Sequence, residues 1–185
     1  MAPAARLRLF GVPVLVDGGG TLVKLRSAKQ LGALVYLALE GREQPVSRDR
    51  LVDLLWPEVP PERGRHSLAQ ACSAIRAALG SGALGRMNGA VRLEASLETD
   101  LDAIPHEFDR LSLTDPLREA EWWAGPEFAH WVDGARGRLR RAAEEALRRA
   151  VADFRRQGQT ARVHAAAEVL YRLDPLSDTA VHALA

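Results

Sequence analysis

An α+β unit followed by an all-α run of helical hairpins is the fold class that the 185-residue sequence predicts, and three patterns predict it. β-Branched alternation broken by glycines opens the chain. Three short amphipathic helices follow, separated by turn residues. Helical periodicity, interrupted at one glycine, then fills much of the second half.

Residues 6–25 alternate around Asp17-Gly18-Gly19-Gly20, which reads as short antiparallel strands with a glycine turn. Ala28–Glu40 sets Leu31, Leu34, Val35 and Ala38 on one helical face, and Gly41 suits its C-terminus. Ser47 is placed to cap a second helix over 48–56, whose Leu51, Leu54 and Leu55 face inward and which Pro57 stops. After the turn Pro57–Pro61 a third helix is expected over about 62–79, with Leu68, Cys72, Ile75 and Leu79 as its apolar stripe and Gly80 at its end. Glycines 82, 85 and 89 punctuate a small hairpin ending in Val91-Arg92-Leu93. Strands, three helices and a terminal hairpin are the element order of a winged helix–turn–helix, expected here over residues 6–97.

Residues 98–185 are expected to form a second, helical domain. Over 135–157, Leu139, Ala143, Ala146, Leu147, Ala150 and Phe154 share one stripe; Gly158 breaks the helix, and Thr160–Leu173 carries Val163, Ala167 and Leu170 on the facing stripe. Phe154, Gly158 and Pro175 have the relative spacing of a tetratricopeptide-like hairpin, with Val163 in place of the usual small alanine. Such hairpins bury little alone and stack on neighbours. A further helix starts at Ser177, and the chain ends at Ala185 inside an apolar-periodic segment, so this domain is expected to be truncated, part of a longer protein.

Composition narrows the function classes. At 47% hydrophobic and 26% charged residues, the chain has material for real cores. A single cysteine, Cys72, excludes an intramolecular disulfide and reads as a small core residue on the third helix. The N-terminus lacks a signal-peptide core, and no apolar run approaches the roughly 20 residues a bilayer span needs. A cytoplasmic location without a membrane partner is therefore expected. Gly-x-Ser-x-Gly, a phosphate loop and His-Glu-x-x-His are all missing, and the five histidines are scattered. No enzyme activity, catalytic residue, metal site or cofactor is expected. Trp56 reads as ending a helix against the core. Trp122, Trp123 and Trp131 read as packing between helical hairpins, an exposed Trp122 or Trp123 serving a partner being the alternative.

Charge becomes informative once it is located. Residues 1–97 carry 13 Lys/Arg against 8 Asp/Glu, a net of +5, and residues 98–185 carry 12 against 16, a net of −4. From Arg63 to Leu93 there are five arginines and no acid. A local positive field of this kind is what a polyanion partner requires, because neutralising phosphates releases counterions. Over 136–156 the arginines alternate with Glu144, Glu145 and Asp153, and a solvated face is the reading there.

Three segments carry a family resemblance: Ser27-Ala28-Lys29-Gln30, Val46-Ser47-Arg48-Asp49-Arg50-Leu51-Val52-Asp53-Leu54-Leu55-Trp56-Pro57, and Ala74-Ile75-Arg76-Ala77-Ala78-Leu79-Gly80. Together they resemble the N-terminal half of the Streptomyces antibiotic regulatory protein (SARP) family, an OmpR-type winged helix. From about Glu98 the chain is similar to the bacterial transcriptional activator domain (BTAD) that follows in that family. The matching residues there are Thr99-Asp100-Leu101, Gly125-Pro126-Glu127-Phe128 with Trp131, and Leu173-Asp174-Pro175-Leu176.

The resemblance implies a transcriptional activator that binds double-stranded promoter DNA as a homodimer and touches RNA polymerase. It places Gln70, Ala74 and Arg76 where the recognition helix meets base edges, with Arg65 near the helix start; Arg76 keeps the family's arginine, which pairs with guanine or holds a phosphate. Ala74 departs from the family's usual arginine or similar polar residue and removes one expected contact. Lys29 and Arg48 fall at helix starts, suited to phosphate. Arg86, Asn88 and Arg92 are the wing candidates for minor-groove or backbone contact, and Ala90-Val91 replaces the family's usual Gly-Tyr there. The alternative function is a protein-interaction or sensory platform of a larger regulator with weakened DNA readout, which Ala74 and the modest +5 favour.

Overall fold

The computed structural model describes residues 5–184, apart from the Arg86 side chain. Strand β1 (Ala5–Arg8) runs antiparallel to β2 (Val14–Val16), and β2 to β3 (Leu22–Val23). Asp17 builds the β2–β3 turn: its carboxylate accepts from the N–H of Gly19 at 2.9 Å and of Thr21 at 2.8 Å. The fourth strand of this sheet comes from far along the chain. It is β7 (Leu97–Thr99), parallel to β1 with Ala5 opposite Leu97.

Helix α1 (Ala28–Glu40) starts at Ser27, whose side chain accepts from the Gln30 N–H, and every residue from Gly32 to Ala38 is buried. A helix buried on so many sides is a core pillar, and the others lean on it. Ser47 likewise caps α2 (Arg48–Leu55) through the Arg50 N–H. Helix α3 (Pro61–Leu79) begins with proline at its first position, where the missing N–H costs nothing. It buries Gly64, Leu68, Ala71, Cys72 and Ile75. A Cβ on Gly64 would overlap Val52 Cγ1, so glycine is what lets α2 and α3 cross this closely.

Strands β5 (Leu84–Met87) and β6 (Ala90–Leu93) form the closing hairpin, with Met87 opposite Ala90. The two residues between them, Asn88 and Gly89, have φ of 33° and 81°, as a two-residue type I′ turn demands. β6 also pairs with β4 (Val46–Ser47), and the Arg48 N–H donates to the Gly89 carbonyl at 2.9 Å. Val91 is buried, so the hairpin packs without an aromatic side chain at that position.

The remaining elements are α4 (Asp100–Glu107), α5 (Pro126–Arg156), α6 (Thr160–Leu173) and α7 (Asp178–Leu184), with 3-10 turns at Phe108–Arg110 and Ala120–Trp122. Here the sequence expectation needs correcting. The helix expected from 135 begins nine residues earlier, at Pro126. Gly134 and Gly137 lower its propensity, but Phe128, Val132, Ala135 and Leu139 bury one continuous stripe and carry the helix through. Gly158, at φ 69°, turns the chain into α6, and Val163 is buried in the α5–α6 contact. The whole is α+β with small sheets, and its order of elements is consistent with a winged helix followed by helical hairpins.

A second correction concerns the tryptophans. Trp131 does not pack between hairpins; its ring lies 4.7 Å from Tyr36 on α1 and 5.3 Å from Phe128, and its Nε1–H donates to Glu40 at 2.9 Å. Around it, Phe128 fills the space above Gly32, Arg50 pairs with Glu127 at 3.0 Å, and Gly125 admits Pro57. The start of α5 is therefore docked on α1 and α2. Trp122 is 81% exposed, whereas Trp56 is buried at the end of α2.

Asp100 fixes the other side of this seam. Its buried carboxylate accepts the N–H groups of Leu9 at 2.6 Å and Phe10 at 2.9 Å, just past the end of β1. Burial raises its carboxyl above the usual aspartate range, opposed by those two N–H donors and by Arg8 and Arg6.

Candidate nucleic-acid interface

Helix α3 exposes the side opposite its buried stripe, and that side holds His66, Ala69, Gln70, Ser73 and Ala77. These are short or uncharged side chains, which let another molecule approach the helix backbone closely. From Arg63 to Leu79 the helix carries no acid.

The candidates from the sequence are spread around this ridge, each with a definite environment. Arg65 is paired with Asp49 at 3.3 Å and Glu62 at 3.2 Å; all three side chains are more than half exposed, so the pairs are weak and exchangeable. Gln70 is exposed, its amide 3.0 Å from the His66 ring. Ala74 is half-buried on the same helix. Arg76 is drawn aside: its guanidinium donates to the Leu84 carbonyl at 3.0 Å and ties the end of α3 to β5. Lys29 is engaged by Glu58, and that ammonium holds the Glu58 carboxyl below its ordinary value. Arg48 is half-buried at the first position of α2, and Arg92 projects exposed from β6. Neither has a side-chain partner among the described residues. Asn88 owes its residue type to the turn, whose left-handed backbone asparagine tolerates. The Arg86 side chain lies outside the described residues.

Two cations that the sequence reading passed over sit beside the ridge. A groove of about 510 Å³ separates α3 from the β3–α1 loop, with Gln70, Ser73, Ala74 and Ala77 on one wall and Lys24 and Arg26 on the other. No carboxylate lines it. The loop is held: the Gln30 side chain accepts from the Arg26 N–H at 3.0 Å, and Ser27 caps α1 directly behind. Lys24 and Arg26 are exposed and, among the described residues, have no side-chain partner. Their signal in the sequence was two bases flanking Leu25 just before a helix cap, easily absorbed into the strand pattern that precedes them. Arg63, exposed in the first turn of α3, is similarly unpaired among the described residues.

Among the described residues no group of three His, Cys, Asp or Glu is placed to hold a metal ion, and no helix is long and apolar enough to cross a membrane.

Neither the protein-family models nor the curated proteins yield a match to this chain. Among solved structures, Mycobacterium tuberculosis EmbR in complex with a low-affinity phosphopeptide is similar at a TM-score of 0.60 and 21% identity, over 98% of this chain and 53% of that one. The chain thus spans about half the length of EmbR, and the two share a fold.

Proposed function

We propose that this chain is a DNA-binding transcriptional regulator of the SARP type. Residues 6–97 act as the winged helix, and residues 98–185 as a BTAD-like helical domain. The observation that carries the reading is the outer face of α3, free of acid from Arg63 to its end and bordered by exposed cations. The likeness of fold to EmbR and the resemblance of three segments to the SARP family support it.

In this reading α3 enters the major groove with Gln70 toward base edges, and Arg65 exchanges its exposed carboxylates for phosphate. Lys29 and Arg48 contact the DNA backbone, and the wing candidates Arg86, Asn88 and Arg92 contact the minor groove or the backbone. Because Ala74 lacks a polar group and Arg76 is engaged with β5, most of the binding energy comes from phosphates. Sequence selectivity then rests on a homodimer reading two half-sites, and activation on contact with RNA polymerase through the helical half. The regulator acts in the cytoplasm and needs no cofactor.

The test is fluorescence anisotropy of the chain with duplex DNA between about 50 and 200 mM salt. Binding that weakens steeply with salt, and that Arg65→Ala reduces, is the expected result. A chain that ignores DNA at about 50 mM salt would sink the reading and leave the protein-interaction platform. The short side chains of the α3 ridge are the observation that favours that second reading.

A further inference from the structure

The basic groups around α3 fall on two sides of it, and the second side points to a contact that the winged-helix reading alone does not supply. At about 100° per residue, Arg65 and Arg76 project within about 20° of each other, while Ala74 lies about 160° from Arg76. The first flank meets α2 and the wing, as the contacts of Arg65 with Asp49 and of Arg76 with Leu84 record. The flank of Ala74 faces the groove whose far wall is the β3–α1 loop. Between the two runs the ridge of His66, Ser73 and Ala77.

We infer that Lys24 and Arg26 form a phosphate-binding edge on the far side of α3 from the wing, so that the helix lies between two cationic rails. The inference rests on the DNA-binding reading. A major groove is about 12 Å wide and is bordered by a phosphate strand on each side. A helix inserted in it presents each flank to one strand, and a flank without cations leaves that strand's charge unneutralised. Lys24 and Arg26 supply the missing charge. They are exposed, unpaired among the described residues, and beside a groove without a carboxylate to compete for them. Their loop leaves β3, itself paired to β2, and is held where it meets α1 by the Gln30 bond to the Arg26 N–H and by the Ser27 cap. Little ordering entropy then remains to be lost on binding. These contacts carry no base information, so they raise affinity for every sequence alike.

The experiment uses the full chain, with Lys24→Ala/Arg26→Ala beside the unchanged protein, titrated onto several unrelated duplexes. Thermal melts confirm that both are folded, since neither side chain makes a bond that folding needs. Removing two phosphate contacts makes the slope of log K against log salt shallower by about 1.8. Between 50 and 200 mM salt the unchanged protein therefore loses about tenfold more affinity than the double variant, equally on each duplex. Lys24→Arg/Arg26→Lys retains the slope. If the Ala variant keeps the full slope while Arg65→Ala lowers it, the rail is wrong and the DNA-binding reading stands. If the loss depends on sequence, the loop reads bases and the rail is again wrong. If the unchanged chain binds no duplex, both readings fall together.

Discussion

On α5 arginine after arginine meets an anion. Arg136 reaches Asp133 and Glu121 along with the carbonyls of Pro116 and Leu117; Arg138 meets Glu40, Arg140 meets Asp115, and Arg148 meets Glu144 and Asp174. Around α3 the cations are of two kinds: Arg65 and Lys29 meet exposed carboxylates, and, among the described residues, the others do not. Lys24, Arg26, Arg48, Arg63 and Arg92 have no carboxylate partner among the described residues. The same residue type is used as mortar in one region and left free in the other. Net charge alone hides this, because a paired guanidinium cancels its field within a few ångströms, whereas an unpaired exposed one projects to about a Debye length. On the proposed DNA-binding reading, truncating a covered guanidinium such as Arg136 costs stability, whereas changes to the unpaired set cost DNA affinity and little stability.

The largest stability effect is expected where the two regions are joined. Phe128 is fully buried at the start of α5, against Gly32 and Trp131. Phe128→Ala should cost about 3–5 kcal/mol, read as a fall in the urea midpoint. If the regions are one cooperative body, a single transition shifts. Two transitions, with only the later residues destabilised, would show that the seam does not couple them.

Asp100→Ala comes next, at about 2–3 kcal/mol, because it strands two buried N–H groups at the end of β1. Asp100→Asn keeps an acceptor and should cost far less. It also changes the pH profile. Burial raises the Asp100 carboxyl, so the folded chain holds its proton at pH values where the unfolded chain has lost it. The favourable contribution is complete below the ordinary aspartate value and is lost as pH rises through the raised one. The gap between the stability curves of the unchanged protein and Asp100→Asn should therefore move in favour of the Asn variant as pH rises across that interval. A constant gap would mean that Asp100 titrates normally.

These seam residues show where the sequence was legible. Helices α1, α2 and α3 announced themselves, since Ser27 and Ser47 cap them, Gly80 and Pro57 stop them, and their apolar spacing is regular. The start of α5 did not, because Gly134 and Gly137 imitate a boundary that burial of Phe128 and Val132 overrides. Asp100 stood in a motif matched to a family, but its hydrogen bonds to Leu9 and Phe10 span some 90 residues and leave no local periodicity. The candidate interface was legible as composition, an acid-free run with five arginines, while the partners of Arg76 and Lys29 depended on β5 and Glu58 folding back. Lys24 and Arg26 gain meaning only from the groove they share with α3.

Arg136→Ala sharpens the contrast at a middle scale. Its guanidinium is mostly covered and satisfies two carbonyls in the loop before α5. Truncation should cost about 1–2 kcal/mol, while leaving the DNA titration at 25 °C unchanged. A loss of DNA affinity without a loss of stability would place Arg136 with the free cations and break the division.

Arg92→Ala is the smallest change in stability and the cleanest probe of the other region. The side chain stands exposed on β6 with no partner among the described residues, so its removal should alter folding by less than about 0.5 kcal/mol. The two backbone neighbours, Val91 and Leu93, stay buried and keep the hairpin in register. Any change in DNA binding is then electrostatic. One lost phosphate contact lowers the salt slope by about 0.9 on every duplex. If Arg92 instead entered the minor groove, the loss would be greater on narrow A-tract sequences, whose potential attracts arginine more strongly. Comparing an A-tract duplex with a mixed one thus separates a cation that follows the backbone from one that senses groove width. Equal losses on both would make the wing a second backbone rail, matching the one on the far side of α3.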